Sequence, residues 1–382
     1  MKNTKMIGLA LLMAASSQAM ALGQGEVRAN GFGSVGFTHL GGEHESHGFG
    51  IKGQTTDTWR GDQLSKLGGQ VQYGVTDDIT ATAQVKVQAD QDEWKPELAL
   101  AYLSWKATDG LTLRGGRLGM PVYMYSETLS VGQSYPWLRL PDEVYSLVQV
   151  DNMEGFDGIY KVPLSYGAVS YQVGVGQSHN RKYFANDDQR DIDYNNTAYA
   201  NVLLETNDFG SFRYSYAQSD LTLKIDDDVV TPFGVRNQVF GDFHRKTGKF
   251  MSMGYAYDNG TWVANAEKVA LLVEGNPRTD AYYVMGGHRF GDFMPHVTYA
   301  ESEVSESKQH SMSYGLNYTL SPKVVIKGEY KKVATNNAYR GNFVKDSQDL
   351  VDNALNAKNS HFGSPATSFD GDIFSVGVDF VF

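Results

Sequence analysis

The chain has 382 residues, 33 of them basic and 44 acidic, with no cysteine but 23 Tyr, 19 Phe and 41 Gly. A formal charge of −11 argues against nucleic acid as a partner, and the missing thiols exclude disulfides and thiolate metal sites. A mean hydropathy of −0.38, with only short apolar runs, argues against transmembrane helices.

Residues 1–21 read as an export signal. Lys2 and Lys5 precede an apolar run from Met6 to Ala15, and Ala19-Met20-Ala21 is a small-x-small cleavage site. The run is shorter than the ~20 residues a spanning helix takes. Cleavage after Ala21 is expected, leaving residues 22–382 as a single domain with 31 basic residues against 44 acidic, a formal charge of −13. Export without a spanning helix leaves a soluble periplasmic or secreted protein, or a closed outer-membrane β-barrel. The abundance of Tyr, Phe and Gly favours the barrel.

Period 2 dominates the rest. From Ile79 to Ala89 the odd positions are apolar, while the even ones are Thr80, Thr82, Gln84, Lys86 and Gln88. The same alternation recurs over Ser311–Tyr318 and Lys323–Lys331. Candidate strands lie near 26–39, 63–75, 79–90, 96–107, 111–118, 151–162, 166–177, 192–206, 210–222, 244–257, 261–272, 278–290, 292–303, 308–319, 323–334 and 371–382. The run Glu97–Lys106, ELALAYLSWK, has no clean face.

The links between these strands are sorted. Tight turns such as Thr76-Asp77-Asp78, Thr108-Asp109-Gly110 and Asp258-Asn259-Gly260 alternate with other connections, four of them long: 40–62, 119–150, 223–243 and 335–370. One short rim and one elaborate rim, with an even strand number, is the asymmetry of outer-membrane barrels. The predicted fold is all-β: a transmembrane antiparallel up-and-down β-barrel of about 16 strands. Gly371–Phe382, which ends the chain on an aromatic, resembles the last strand that barrel-assembly machinery recognises.

The connection 119–150 stands apart. Pro121, Pro136 and Pro141 bar it from a ladder, yet it is rich in Tyr, Trp, Leu and Val, too apolar to lie unpartnered in water. It must pack inside something. Pro141-Asp142-Glu143 reads as a helix start, predicting a short helix over 142–148.

Gly115-Gly116-Arg117, then this loop, then Asp151-Asn152-Met153-Glu154-Gly155-Phe156 and Tyr160-Lys161-Val162-Pro163 resemble the Gram-negative outer-membrane porin superfamily, of the 16-stranded general-porin type. The resemblance implies a third loop folded into the lumen that narrows the channel, with acids on the loop across from bases on the wall. The residues available for those roles are Glu127, Asp142 and Glu143 on the loop, and Arg28, Lys86, Arg114 and Arg117 on the wall. An equal alternative for each is a solvated rim residue or a strut. Two departures stand out. The second link, Asp90–Lys95, is short where trimeric members often use a sizeable latch, and the loop carries Leu140-Pro141-Asp142-Glu143-Val144-Tyr145 in place of a Pro-Glu-Phe-Gly tip.

The implied function is passive diffusion of small hydrophilic solutes and ions through an outer-membrane channel, without a cofactor. Outer-membrane lipid and lipopolysaccharide are its surroundings, and a homotrimer is compatible with it. Net charge favours cations, although pore-wall arginines could reverse that locally. The alternatives are a channel selective for anions or an organic nutrient, and a barrel enzyme or adhesin. Gly31-Phe32-Gly33-Ser34-Val35-Gly36 matches GxGxxG but opens no helix, which argues against nucleotide binding. His39, His44 and His47 are spaced too irregularly for a metal site, and no nucleophile accompanies His244, His288, His296 or His310.

Overall fold

The computed structural model describes residues 22–41, 59–90, 93–185, 188–224, 229–231, 234–236, 244–336 and 370–382. The expected leader, His44, His47 and most of the connections 40–62, 223–243 and 335–370 lie outside the described residues.

The first half of the barrel is β1 (Val27–Gly41), β2 (Lys66–Gly74), β3 (Ile79–Asp90), β4 (Glu93–Lys106), β5 (Leu111–Gly119), β6 (Asn152–Leu164), β7 (Gly167–Ala185), β8 (Asp188–Thr206) and β9 (Ser211–Lys224). A small hairpin, β10 (Val229–Thr231) and β11 (Gly234–Arg236), stands outside it. The second half is β12 (Lys246–Asp258), β13 (Trp262–Val273), β14 (Thr279–His288), β15 (Phe293–Val304), β16 (Ser307–Ser321), β17 (Val324–Thr335) and β18 (Gly371–Val381). Every barrel strand pairs antiparallel with its sequence neighbour, β9 pairs with β12, and β18 closes on β1, with Val35 opposite Val378. The result is a closed sixteen-stranded up-and-down barrel.

Local chemistry makes the short rim. Thr76 Oγ1 accepts from the Asp78 and Ile79 amides, and Thr108 Oγ1 does the same for Gly110 and Leu111, so the TDD and TDG turns share one device. Asn259 Oδ1 closes the turn between β12 and β13 in the same way.

Alternation assigns the faces. In β7, Tyr171, Val173 and Val175 are exposed while Gln172 is buried; in β18, Phe374 and Val376 are exposed while Ser375 is buried. Apolar side chains point out and polar ones in, the reverse of a water-soluble sheet and the pattern of a lipid-facing wall. β4 has no clean face because it carries a bulge. Gln84 pairs with Leu100 but Val85 with Leu98, so Ala99 is the extra residue. One inserted residue flips the parity, and the exposed positions shift from Leu98 before it to Leu103 and Trp105 after it.

The β7–β8 hairpin runs further than alternation indicates, to Ala185 and Asp188 where strands near 166–177 and 192–206 are predicted. Register shifts at Gly176–Ser178–Arg181, with Asn180 and Asn196 at positive φ, break the period before the hairpin ends.

Candidate functional site

The long link between β5 and β6 is the centre of the molecule. It contains turns of 3-10 helix at Ser126–Thr128 and Gly132–Ser134 and one helical turn, Asp142–Tyr145, shorter than the 142–148 predicted. Val122, Tyr123, Tyr125, Trp137 and Val144 are buried, and they form one apolar cluster with Phe250, Val263, Tyr283, Met285 and Met294 of β12 to β15. Tyr123 meets Phe250 edge-on at 5.0 Å between ring centroids, and Trp137 meets Tyr283 at 5.3 Å. The loop therefore lies on the inner face of the barrel.

Polar anchors follow the same wall. Ser252 Oγ donates to the Val122 carbonyl at 2.6 Å, and the Met124 amide donates to Glu267 Oε1 at 2.9 Å. Trp137 Nε1 donates to Thr298 Oγ1 at 2.7 Å, and Asn317 Nδ2 to the Pro136 carbonyl at 2.8 Å. Lys327 Nζ donates to the carbonyls of Gly132, Tyr135 and Trp137 at 2.8, 2.7 and 3.1 Å. Gly132 has to be glycine there, since a Cβ would stand 2.2 Å from Asp379 Oδ1.

The residues singled out in the sequence fall into three groups. Asp142 and Glu143 are anchors on the wall: Lys331 Nζ reaches them at 3.1 and 3.2 Å, Gln309 Nε2 donates to Glu143 at 2.9 Å, and Glu143 is fully buried. Glu127 is at the loop's free edge, its side chain 41% exposed, and Arg213 of β9 grips both its oxygens at 2.6 and 2.7 Å. Burial disfavours the Glu127 charge, but the Arg213 guanidinium prevails and holds the carboxyl below the usual glutamate range.

Lys86, Arg114 and Arg117 are on the wall of β3 to β5, each beside an acid. Lys86 bonds Asp151 at 2.7 Å and Glu97 at 3.2 Å. Burial again opposes ionisation, yet Lys86 keeps the Asp151 carboxyl below its ordinary range. Arg114 forks onto Asp157, which also accepts from Gln172 and Tyr199, each at 2.7 Å. Arg117 and Arg181 share Glu154, at 3.6 and 3.3 Å. Arg28 is near the start of β1, paired in register with Gln72 toward the short-turn rim and apart from this group.

Sequence reading missed the partners. Lys327, Glu329, Lys331 and Arg213, on polar strand faces, point inward and lie under the loop. The acids opposite the basic wall were missed as well, though Lys86 and Glu97 are register partners across a short link, a spacing the sequence contains. Arg114–Asp157 and Arg117–Glu154 are also register partners, but the long loop between β5 and β6 hides that register.

A cavity of about 970 Å³ runs from the loop's edge at Met124–Thr128 to the short turns, bordered by the inner faces of β3 to β9 and also by residues of β12 to β17 such as Asn265 and Lys327; Arg114, Gln172, Asn201 and Glu127 line it. The loop packs mainly on the wall from β12 to β18, with Arg213 of β9 and Lys66 of β2 also bonded to it, while the inner faces of β4 to β7 front the cavity.

No family model matches the chain, and no curated protein matches it in sequence. Solved structures do match. OmpT, an outer membrane protein of Vibrio cholerae, superposes with a TM-score of 0.58 at 13% identity, over 95% of this chain and 100% of that one. An anion-selective porin from Comamonas acidovorans gives 0.57 at 13% identity, over 94% and 100%. The fold is that of the sixteen-stranded porins. Salmonella typhi OmpF, in its complex with daunomycin, agrees at 0.58 and 13% identity, over 94% and 98%. At such identities the likeness to porins is one of fold.

Proposed function

We propose that the chain forms a water-filled channel for passive diffusion of small hydrophilic solutes and ions across an outer membrane. The observation that carries this reading is the docking of the loop inside the barrel: it occupies part of the lumen and leaves beside it an open cavity into which Arg114, Gln172, Asn201 and Glu127 project. A sixteen-strand barrel is wide enough for water to pass, so an inserted loop sets the size limit. In this reading Glu127 faces the gap from the loop and Arg114 from the wall, while Lys86 and Arg117 brace the wall against Asp151 and Glu154. Asp142 and Glu143 act as anchors, and Arg28 belongs to the short-turn mouth.

Because each wall cation stands beside a carboxylate, the net field in the gap is smaller than a bare basic cluster would give, and weak cation preference from the overall charge of −11 is expected. The leader 1–21 would direct export, and the apolar outer band would contact membrane lipid and lipopolysaccharide. A homotrimer is compatible with this assignment, which includes no catalysis, cofactor or nucleic acid.

The test is a planar-bilayer recording of the purified, folded barrel. Discrete conductance steps, with a reversal potential of cation sign under a salt gradient, are expected. A folded barrel that inserts and gives no steps overturns the channel, and a reversal potential of anion sign overturns the cation preference alone.

A further inference from the structure

Lys249 of β12 and Lys268 of β13 are exposed, while their neighbours Phe250, Glu267 and Val269 are buried on the inner side. Both lysines therefore stand on the outward face. Among the described residues neither has an ion-pair or hydrogen-bond partner. The acids nearby are engaged elsewhere: Asp280 with Arg278 at 2.6 Å, Glu301 with Lys308 at 3.2 Å, Asp220 with Asn196 at 2.8 Å, and Glu274 with the Thr247 amide at 3.3 Å.

The short turn between β12 and β13 fixes their depth. Trp262 starts β13 at that rim, exposed, and Lys268 follows six positions later. At ~3.3 Å per residue and a tilt of ~40°, this is a rise of about 15 Å, inside an outward apolar band about 25 Å tall. Lys249, nine positions from the end of β12, is about 23 Å up, at the far edge of the band. Met253, across the ladder from Lys268, and Val284 of β14 are exposed apolar neighbours. A lysine at such a depth extends its ammonium toward the membrane surface, which carries Lys268 toward the level of Lys249.

Two cations without acids, at the upper edge of an apolar face, match an anion that carries acyl chains. A free anion would gain nothing from Met251, Met253 and Ala266 below, and salt would screen it in the water above. We propose that Lys249 and Lys268 together hold the phosphate of a lipid in the outer leaflet, its acyl chains lying along the outward faces of β12 and β13. The site rests on the reading of the chain as an outer-membrane barrel and not on conduction.

Native mass spectrometry of the folded full-length barrel in detergent, titrated with diphosphorylated lipid A, tests it. One lipid A bound saturably per chain is expected, with lipid A stripped of both phosphates binding about tenfold or more weakly. Lys249→Gln and Lys268→Gln should each weaken binding about fivefold, and the double variant by more than about tenfold. Lys308→Gln, which removes an outward lysine already paired with acids, should change little. The shift of folded barrel on unheated gels confirms folding, and the comparison of the two lipids on the native chain needs no variant.

The proposal is overturned by no saturable binding, by equal binding of the stripped lipid, or by undiminished binding in the double variant. Displacement by equimolar inorganic phosphate would make this a free-anion site and overturn it too. A folded double variant that loses self-association but binds lipid A as before would give the face to a second copy of the chain, against the proposal. Conductance steps without lipid A binding would keep the channel and sink the site; lipid A binding in a barrel without steps would do the reverse.

Discussion

Lys327 and Asp379 form a buried ion pair at 2.8 Å, and the ammonium that pairs with Asp379 also holds three carbonyls of the loop. One cation thereby joins the wall to the loop. Removing it strands a carboxylate in a dry site, so Lys327→Met should cost about 3–5 kcal/mol. The measurement is the barrel's thermal unfolding midpoint. Adding Asp379→Asn should recover part of the loss; a double variant as unstable as the single one would mean that the stranded charge is not what matters.

Trp137 is fully buried, its indole bonded to Thr298 and its ring edge-on to Tyr283. Trp137→Ala should destabilise the docked loop by about 3–5 kcal/mol through the cavity it leaves. Single-channel records should then show larger and more variable conductance, because the loop would leave the wall more often. Unchanged current noise together with unchanged stability would place the loop's hold elsewhere.

Acid should act at Glu127 late. Its carboxyl is held below the usual glutamate range, so the Arg213 pair contributes fully above the unfolded glutamate value and is lost as pH falls through the lowered one. Since the side chain is 41% exposed, water screens the pair and the effect on global stability should be small. Conductance should stay flat from neutrality down to the ordinary carboxylate range and shift only below it, and Glu127→Gln should show at neutral pH the conductance that the native chain reaches in acid. A native titration centred near neutrality would assign the change to another group.

The outward face is testable with one residue. Val173 is 60% exposed on β7, next to buried Gln172. In a membrane Val173→Arg should cost up to about 2–4 kcal/mol, depending on depth. The measurement is folding into lipid vesicles by denaturant titration. A neutral result, as at a water-exposed position, would argue that this face does not meet lipid.

Much of this architecture is legible in the residues, for a physical reason. A wall between lipid and interior writes its two environments into alternate positions, as in Ile79–Ala89 and Gly371–Phe382, and its turns carry Thr, Asp, Asn and Gly at fixed offsets. The long loop announced its burial through Tyr123, Tyr125 and Trp137 set among prolines. Its berth was not legible. Tyr283 and Met285 face inward while Tyr282 and Val284 flank them on the other face, so the strand that receives the loop is apolar on both sides and alternation marks neither. Ala99 is silent in the sequence because a bulge is a relation between two strands. The pairing of Glu127 with Arg213 spans 86 positions, and no local pattern connects them.

The docking of the loop also imposes an order of assembly. The loop leaves the barrel between β5 and β6, yet most of its berth is built from β12 to β18, so Tyr123 and Trp137 lack their ring partners Phe250 and Tyr283 until the C-terminal half is in place. Such distant contacts are slow to form, because the intervening chain must be ordered first. The last strand supplies Asp379, which bonds Ser34 of β1 across the closing seam and pairs with the same Lys327 that grips the loop. Closing the seam and seating the loop thus share a residue. A chain that loses its final strand should keep both an open edge and an unshielded aromatic segment, two aggregation hazards produced by one deletion.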